Sequence, residues 1–546
     1  MPIAPDTKAL SDRQRRRGSW AVLLWLAVML GVSFPYFEAT RNANERPRLL
    51  QGMALVDAGE WAIDGPAARG LAPGPDVARS KADGRLYPNK PPGTSLVAAV
   101  GYVGARATSG DGADALDLRT YTWWARILGG LLPTLVLCAV ALARFAARFG
   151  TGAGAGAVAL YALSTPAASY AHLLYGHQLA AALLGIGIMM LVDAQPGRGS
   201  MRTAVIGAAG GGMACGAAVG VEYGAVFAAF PIAGLLLSRV RSSGGLPVLA
   251  AGVGGALVPI VLLALYHDAV FGSPWATGYH HVTNADFAAK HGQGLLGLGM
   301  PSLSGFTTHF VSTDGGLLWW APTIVVAIYG LVQMATFDDA LRTEARVHLA
   351  LLVVYGVVVS SLSFEGGWRV GPRYLVVALP SLMMGWGHAL SQLRTSWPMM
   401  GLMTLLATYA VLVNALAANL WPHPDLTNIN QPIAEVLLPL WDHDREPYDL
   451  VRAITGRSGL RLIIYGSVIG TWAWLVMMGE GGLRMLAAMV VGGLAGLLLV
   501  QATGLVQPHS RGARNLAYIE RIWEPNPDRP GSSVRLTMDL PTVAPP

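Results

Sequence analysis

Apolar windows of roughly 17 to 25 residues recur along most of this chain, interrupted by polar turns, and each is long enough as a helix to cross about 30 Å of hydrocarbon. They lie near 19–37, 122–146, 152–170, 178–194, 203–220, 224–238, 246–266, 316–336, 346–362, 373–391, 398–419, 459–478 and 484–505. Residues 93–107, GTSLVAAVGYVGARA, are short for a span and carry several glycines, so they read as a re-entrant or interfacial segment. The pattern predicts an all-α integral membrane fold of about 13 transmembrane helices, with external interfacial helices and one re-entrant segment. The first window ends in Phe34, Pro35, Tyr36 and Phe37 instead of a small-residue cleavage site, which favours a retained span over a cleaved signal peptide.

Composition agrees with this reading: 53% of the 546 residues are hydrophobic and 13% charged, and the mean hydropathy is +0.45. The net charge of +6 comes from arginines at span ends, without the basic stripe and interleaved aromatics of a nucleic-acid binder. Arg13, Arg15, Arg16 and Arg17 precede the first span, and Arg144, Arg148, Arg202, Arg239, Arg342, Arg346 and Arg394 fall on the same side if 93–107 does not cross. By the positive-inside rule that side is cytoplasmic. Loops 38–121, 267–315, 363–373 and 420–458 are then external, and the chain divides into a cytoplasmic tail (1–18), a transmembrane domain (19–505) and an external tail (506–546) with little apolar periodicity. Cys138 and Cys215 sit in apolar windows without CxxC spacing, so neither a metal cage nor a disulfide framework is indicated. No HExxH, P-loop, GxSxG or GxGxxG motif in a strand-to-helix setting points to a protease, NTPase, hydrolase or dinucleotide enzyme.

The candidate chemistry gathers on the external face. In NERPRLLQGMALVDA, Asn44 suits an N-cap and the apolar spacing predicts a surface helix over 45–58, with Glu45 and Arg48 sharing its first turn. Lys90 is one of four lysines (8, 81, 90 and 290) against 34 arginines, and Pro91, Pro92 and Gly93 stiffen the backbone behind it. A stiffly held cation at headgroup level suits a phosphate, as do Arg369 and Arg373 of GGWRVGPRY, which ends at Tyr374. His177 of YGHQ, Glu222 beside Tyr223, and Asp268, His280 and His281 are further external polar groups.

A surface helix opened by Asn44-Glu45, then Gly59-Glu60-Trp61, then Gly84 to Tyr87 and Lys90-Pro91-Pro92 resembles the GT-C superfamily of polyprenyl-phosphate-sugar-dependent glycosyltransferases, in the branch of the protein O-mannosyltransferases and the lipid A aminoarabinose transferases. The match covers roughly 38–130. It implies transfer of a sugar from a polyprenyl-phosphate donor to an acceptor hydroxyl, with inversion, at the outer face of the plasma (inner) membrane. The expected partners are that donor, membrane lipids and a glycan, lipid or protein acceptor, and not nucleic acid. The expected substrate-binding residues are Arg48, Tyr87, Lys90, His177, Arg369, Arg373 and Tyr374. One position departs: the branch carries an Asp-Glu pair whose first member is the base, and this chain has Asn44 there. The base is then Glu45, or another external carboxylate such as Asp76, Asp83 or Glu38. No metal-ligand motif is present, and a divalent metal cofactor stays open. The rivals are a lipid or lipid-linked-sugar transporter and a non-catalytic glycolipid-binding relative.

Overall fold

A computed structural model describes residues 12–31, 42–109, 118–197, 199–240, 242–294, 297–362, 366–443 and 449–522. Among them eight helices are long and apolar enough to span a bilayer, and five shorter apolar helices, Gly18–Gly31, Thr151–Leu163, His177–Asp193, Tyr223–Arg239 and Ile324–Phe337, accompany them. They occupy the thirteen apolar windows, and the chain is an all-α integral membrane protein. Residues 32–37 of the first window lie outside the described residues, as does Glu38.

Lipid offers apolar side chains no incentive to leave it, so the helices associate through close packing of small residues. Along the contact between Met201–Val221 and Gly245–Phe271, a Cβ added to Gly212, Gly216 or Gly255 would overlap the carbonyl oxygens of Gly252, Ala256 and Ala209. Backbone meets backbone there. The opposite flank of Gly245–Phe271 leaves Leu257, Val258, Val261, Leu262 and Leu265 exposed, as a lipid-facing side should.

Several spans break near one end. The windows predicted over 152–170 and 316–336 stop at Leu163 and Trp320 and resume after Pro166 and Pro322, and the window from 373 opens with nine residues of 3₁₀ helix, Arg373–Ser381, that follow Pro372. Proline removes a backbone donor and crowds the preceding turn, so each break falls where the helix cannot continue. Non-helical backbone at membrane depth persists only where protein or a polar cavity covers it.

The segment after the first helix builds the cover. Arg46–Ala58 is helical as predicted, but its cap is Glu45 and not Asn44, and it makes no side-chain capping bond. Nor does it lie on the surface. Residues 46–54 are all buried, because the Gly93–Ser109 helix packs on one side, close enough that Gly52 could not carry a Cβ. The Gly93–Ser109 helix is a single 17-residue segment whose Leu96, Val100 and Val103 stay exposed in one stripe. Between the two helices runs an antiparallel ribbon, Val77–Arg79 with Leu86–Pro88, in which Ala78 faces Tyr87. The all-α expectation contained no such strands. Thr283 N–H donates to the Val77 carbonyl at 3.1 Å and so ties the ribbon to the segment that follows the Gly245–Phe271 helix.

At the other end of the bundle, Glu344 is buried and accepts Arg144 at 2.9 Å and also Arg148, while Asp193 pairs with both arginines. Arg239 donates to the carbonyls of Leu191, Val192 and Ala194 at the end of the His177–Asp193 helix. Span-end arginines therefore close this end of the helices with ion pairs and carbonyl caps.

Candidate functional site

The ribbon brings an acid and a cation to one place. Asp76 and Asn89 pair across it through an N–H to carbonyl bond of 3.2 Å, so Asp76 and Lys90, fourteen positions apart in sequence, open onto the same cavity of about 600 Å³. Arg369, Arg373 and Tyr374 form another part of the wall, Lys290 and His291 a third, and Asp425 and Thr427 a fourth. Two of the four lysines thus meet in one cavity. Lys290 was legible through that rarity alone, since the 285–291 helix that carries it has no buried residue.

Lys90, Arg369 and Arg373 are each held by an aromatic or a carbonyl. Lys90 Nζ donates to the Tyr279 hydroxyl at 3.1 Å and lies 4.5 Å from the ring centre. His291 stacks on the same ring, centroids 4.2 Å apart. The Arg373 guanidinium donates to the Tyr374 hydroxyl at 3.0 Å and lies over the Tyr175 and Tyr374 rings at 6.0 and 5.0 Å. Such ring faces hold a cation without neutralising it. Gly371, at φ 60°, packs on Pro166 in the turn that carries Arg373. Arg369 is buried, donates to the Gly367 carbonyl at 3.3 Å and has its own N–H on the Pro424 carbonyl at 3.0 Å.

Asp76 is 8% exposed, and its Oδ2 accepts the Asn44 amide at 3.3 Å. Asn44 in turn accepts Arg48, which also donates to the Leu174 carbonyl at 3.3 Å. Arg48 is fully buried behind this wall and does not line the cavity. His177 is buried as well, 3.3 Å from Glu222 and enclosed by the rings of Tyr170, Tyr175 and Tyr374. Glu222 therefore has His177 as a close neighbour, without a hydrogen bond between them. Burial pushes the Glu222 carboxyl above its ordinary range, against the pull of Lys90, Arg48 and Arg373.

Besides Arg48 and His177, two more expected site residues lie off the cavity. Glu45 is wholly buried; both its oxygens are taken by Arg126, at 2.9 and 2.7 Å, and Oε1 also accepts the Leu174 N–H at 2.7 Å. Burial alone would raise its pKa, yet the Arg126 charge, its hydrogen bond and the Leu174 N–H hold it below the usual carboxylate value. It does not pair with Arg48, and it faces no cavity. Tyr87 bonds Asp83 and packs edge-on against Phe271 at 5.9 Å, in an apolar cluster beneath the ribbon. Asp268, His280 and His281 are also off the cavity. Among the described residues no group of three or more His, Cys, Asp or Glu side chains gathers to hold a metal.

An apolar groove of about 480 Å³ runs beside the cavity, lined by Phe306, Phe310, Leu317, Leu349, Leu375 and Leu379. It begins one residue beyond Tyr374. The arrangement sets two carboxylates, Asp76 and Asp425, among several fixed cations, next to a greasy channel.

No family model matches this chain, and no curated protein matches it. Several solved structures are similar to it. The apo crystal structure of ArnT from Cupriavidus metallidurans matches with a TM-score of 0.47 at 17% identity, over 88% of this chain and 78% of that one. ArnT bound to undecaprenyl phosphate matches at 0.43 and 14%, over 92% and 79%. The archaeal oligosaccharyltransferase AglB from Archaeoglobus fulgidus, in complex with an inhibitory peptide and a dolichol-phosphate, matches at 0.40 and 11%, over 94% of this chain and 58% of that one.

Proposed function

We propose that the chain is an inverting GT-C-type glycosyltransferase of the plasma membrane that moves a sugar from a polyprenyl-phosphate donor to an acceptor hydroxyl at the external face. The observation that carries this reading is the shared cavity of Asp76, Lys90, Arg369 and Arg373. Asp76 serves as the base. In the branch that the first loop resembles, the base occupies the position of Asn44, and here the Asp76 carboxylate lies 3.3 Å from the Asn44 amide. A carboxylate from the ribbon stands in for the missing acid, and Glu45 keeps a structural role.

The reaction then runs in one displacement. Asp76 accepts the acceptor's hydroxyl proton as that oxygen bonds to the anomeric carbon; the bond to the phosphate oxygen breaks, and its electron pair leaves on the phosphate. Lys90 and Arg373, with Arg369, stabilise the charge that develops there, in a site screened from bulk water. The apolar groove receives the isoprenoid chain. Asp76 loses its proton to water afterwards.

The ion cluster of Glu344 and Asp193 with Arg144 and Arg148 favours this reading over a transporter, since it ties three helices together at the far end, where alternating access would need them to part. The test uses the protein in lipid with polyprenyl-phosphate sugars. Wild type should transfer, Asp76→Asn should lose about 10² to 10⁴ in rate, and Lys90→Met should weaken donor use. Full transfer by Asp76→Asn sinks the assignment of the base. No transfer by wild type with any such donor sinks the function.

A further inference from the structure

One wall of the cavity has no secondary structure of its own. Asp425, Leu426 and Thr427 belong to the segment 421–431, which is turn and coil throughout. Asn428 within it has φ 61°, the one non-glycine residue with positive φ among those described. A left-handed residue costs about 1 kcal/mol or more and persists only where its surroundings hold it. What holds it comes largely from the far end of the chain.

The Asn515 amide donates to the carbonyls of Thr427 at 2.9 Å and of Asn428 at 3.1 Å. The Asn430 amide donates to the Gln507 carbonyl at 3.0 Å. Glu435 joins both segments: Oε1 accepts the N–H groups of Asn430 and Gln431 at 2.7 and 2.8 Å, and Oε2 accepts the His509 N–H at 3.0 Å. Leu516 and Ile519 of the Gly512–Ile522 helix anchor this segment on a cluster with Ile429 and Ile433. The tail is thus no mere appendage: residues 507–515 run behind the cavity wall and bond it from outside.

We infer that residues 507–515 are a strap that positions the 424–428 wall of the cavity for its anionic ligand, with Asn515 and Glu435 as the positioning residues. This rests on the phosphate-binding reading above. Asn515 does not itself line the cavity and acts only through the carbonyls it fixes. Asn515→Asp keeps the side-chain shape but turns both donors into acceptors facing carbonyl oxygens.

The test measures two things on full-length wild type, Asn515→Asp and Asn515→Ala: hydrogen exchange of the 424–431 amides, and binding of farnesyl phosphate. The strap predicts that exchange across 424–431 accelerates about tenfold, that the probe binds about three- to tenfold more weakly, and that the thermal midpoint barely moves. Glu435→Gln should do the same in milder form, because its amide keeps one acceptor. Unchanged exchange overturns the strap. Faster exchange with unchanged probe affinity overturns its role in binding. If wild type does not bind the probe, the phosphate reading falls, and the exchange data still decide whether the strap holds the wall.

Discussion

Glu45 and Asp76 are two carboxylates with opposite surroundings, and those surroundings assign their roles. Glu45 has no solvent and three donors; Asp76 has one amide donor and an opening to the cavity. Breaking a buried ion pair leaves an uncompensated charge, which costs about 3 to 5 kcal/mol, whereas replacing both partners with apolar groups of similar size is often neutral. Glu45→Ala should therefore lower the thermal midpoint severely, and Glu45→Leu with Arg126→Met should recover most of it. A Glu45→Ala protein that melts like wild type in detergent would show that the pair is not what fastens the loop. In sequence, Glu45 looked the better base because it opens a helix three residues before Arg48. Spacing shows neighbours on one helix, and it could not show Arg126, 81 positions away.

At the level of elements, the apolar windows fixed where helices lie, because length and hydropathy are local quantities. How closely they approach depends on which glycines meet a neighbour. Gly212 meets the Gly252 carbonyl, whereas Gly254, on the Gly245–Phe271 helix, has nothing within 4 Å of where its Cβ would stand. Gly212→Ala should thus destabilise by about 1 to 3 kcal/mol through overpacking, and Gly254→Ala should be neutral or slightly stabilising. Thermal midpoints of the two variants in one detergent check this. Equal effects would mean that the two helices have room to separate. The prolines at 166, 322 and 372 were visible as helix breakers in principle. That their breaks gather near one polar cavity required the packed bundle.

For the molecule as a whole, two buried histidines set a pH limit. His172 ties the end of the first helix to the end of another span, its ring nitrogens 2.9 Å from the Leu30 carbonyl and 3.0 Å from that of Ala418. Burial lowers its pKa to about 4, outweighing the two carbonyl oxygens that favour the charged ring. His423, stacked on Trp368, is likewise lowered by burial to about 4, against the pull of Glu45. A histidine with a depressed folded pKa takes its proton more readily when unfolded. Its share of stability is complete above about pH 6.5 and drains as the pH falls towards 4, about 2 kcal/mol for each by pH 5. Glu45, also depressed, adds a loss only below about pH 4.5. The thermal midpoint should therefore be level above pH 7 and decline through pH 6 to 4.5. A flat profile across that window would contradict the burial of both rings.

By itself the sequence determined the class of the protein, the number and placing of its apolar helices, and the loops in which the polar chemistry sits. Those follow from hydropathy, charge and proline, which act over a single helix turn or span. Which carboxylate meets which cation was decided only in three dimensions. A two-stranded ribbon sets Asp76 beside Lys90, a distant arginine withdraws Glu45, and Lys290 and the 424–428 wall arrive from loops hundreds of positions away. Side-chain partnership across a cavity depends on how the chain returns to it, and neither periodicity nor spacing along the sequence carries that information.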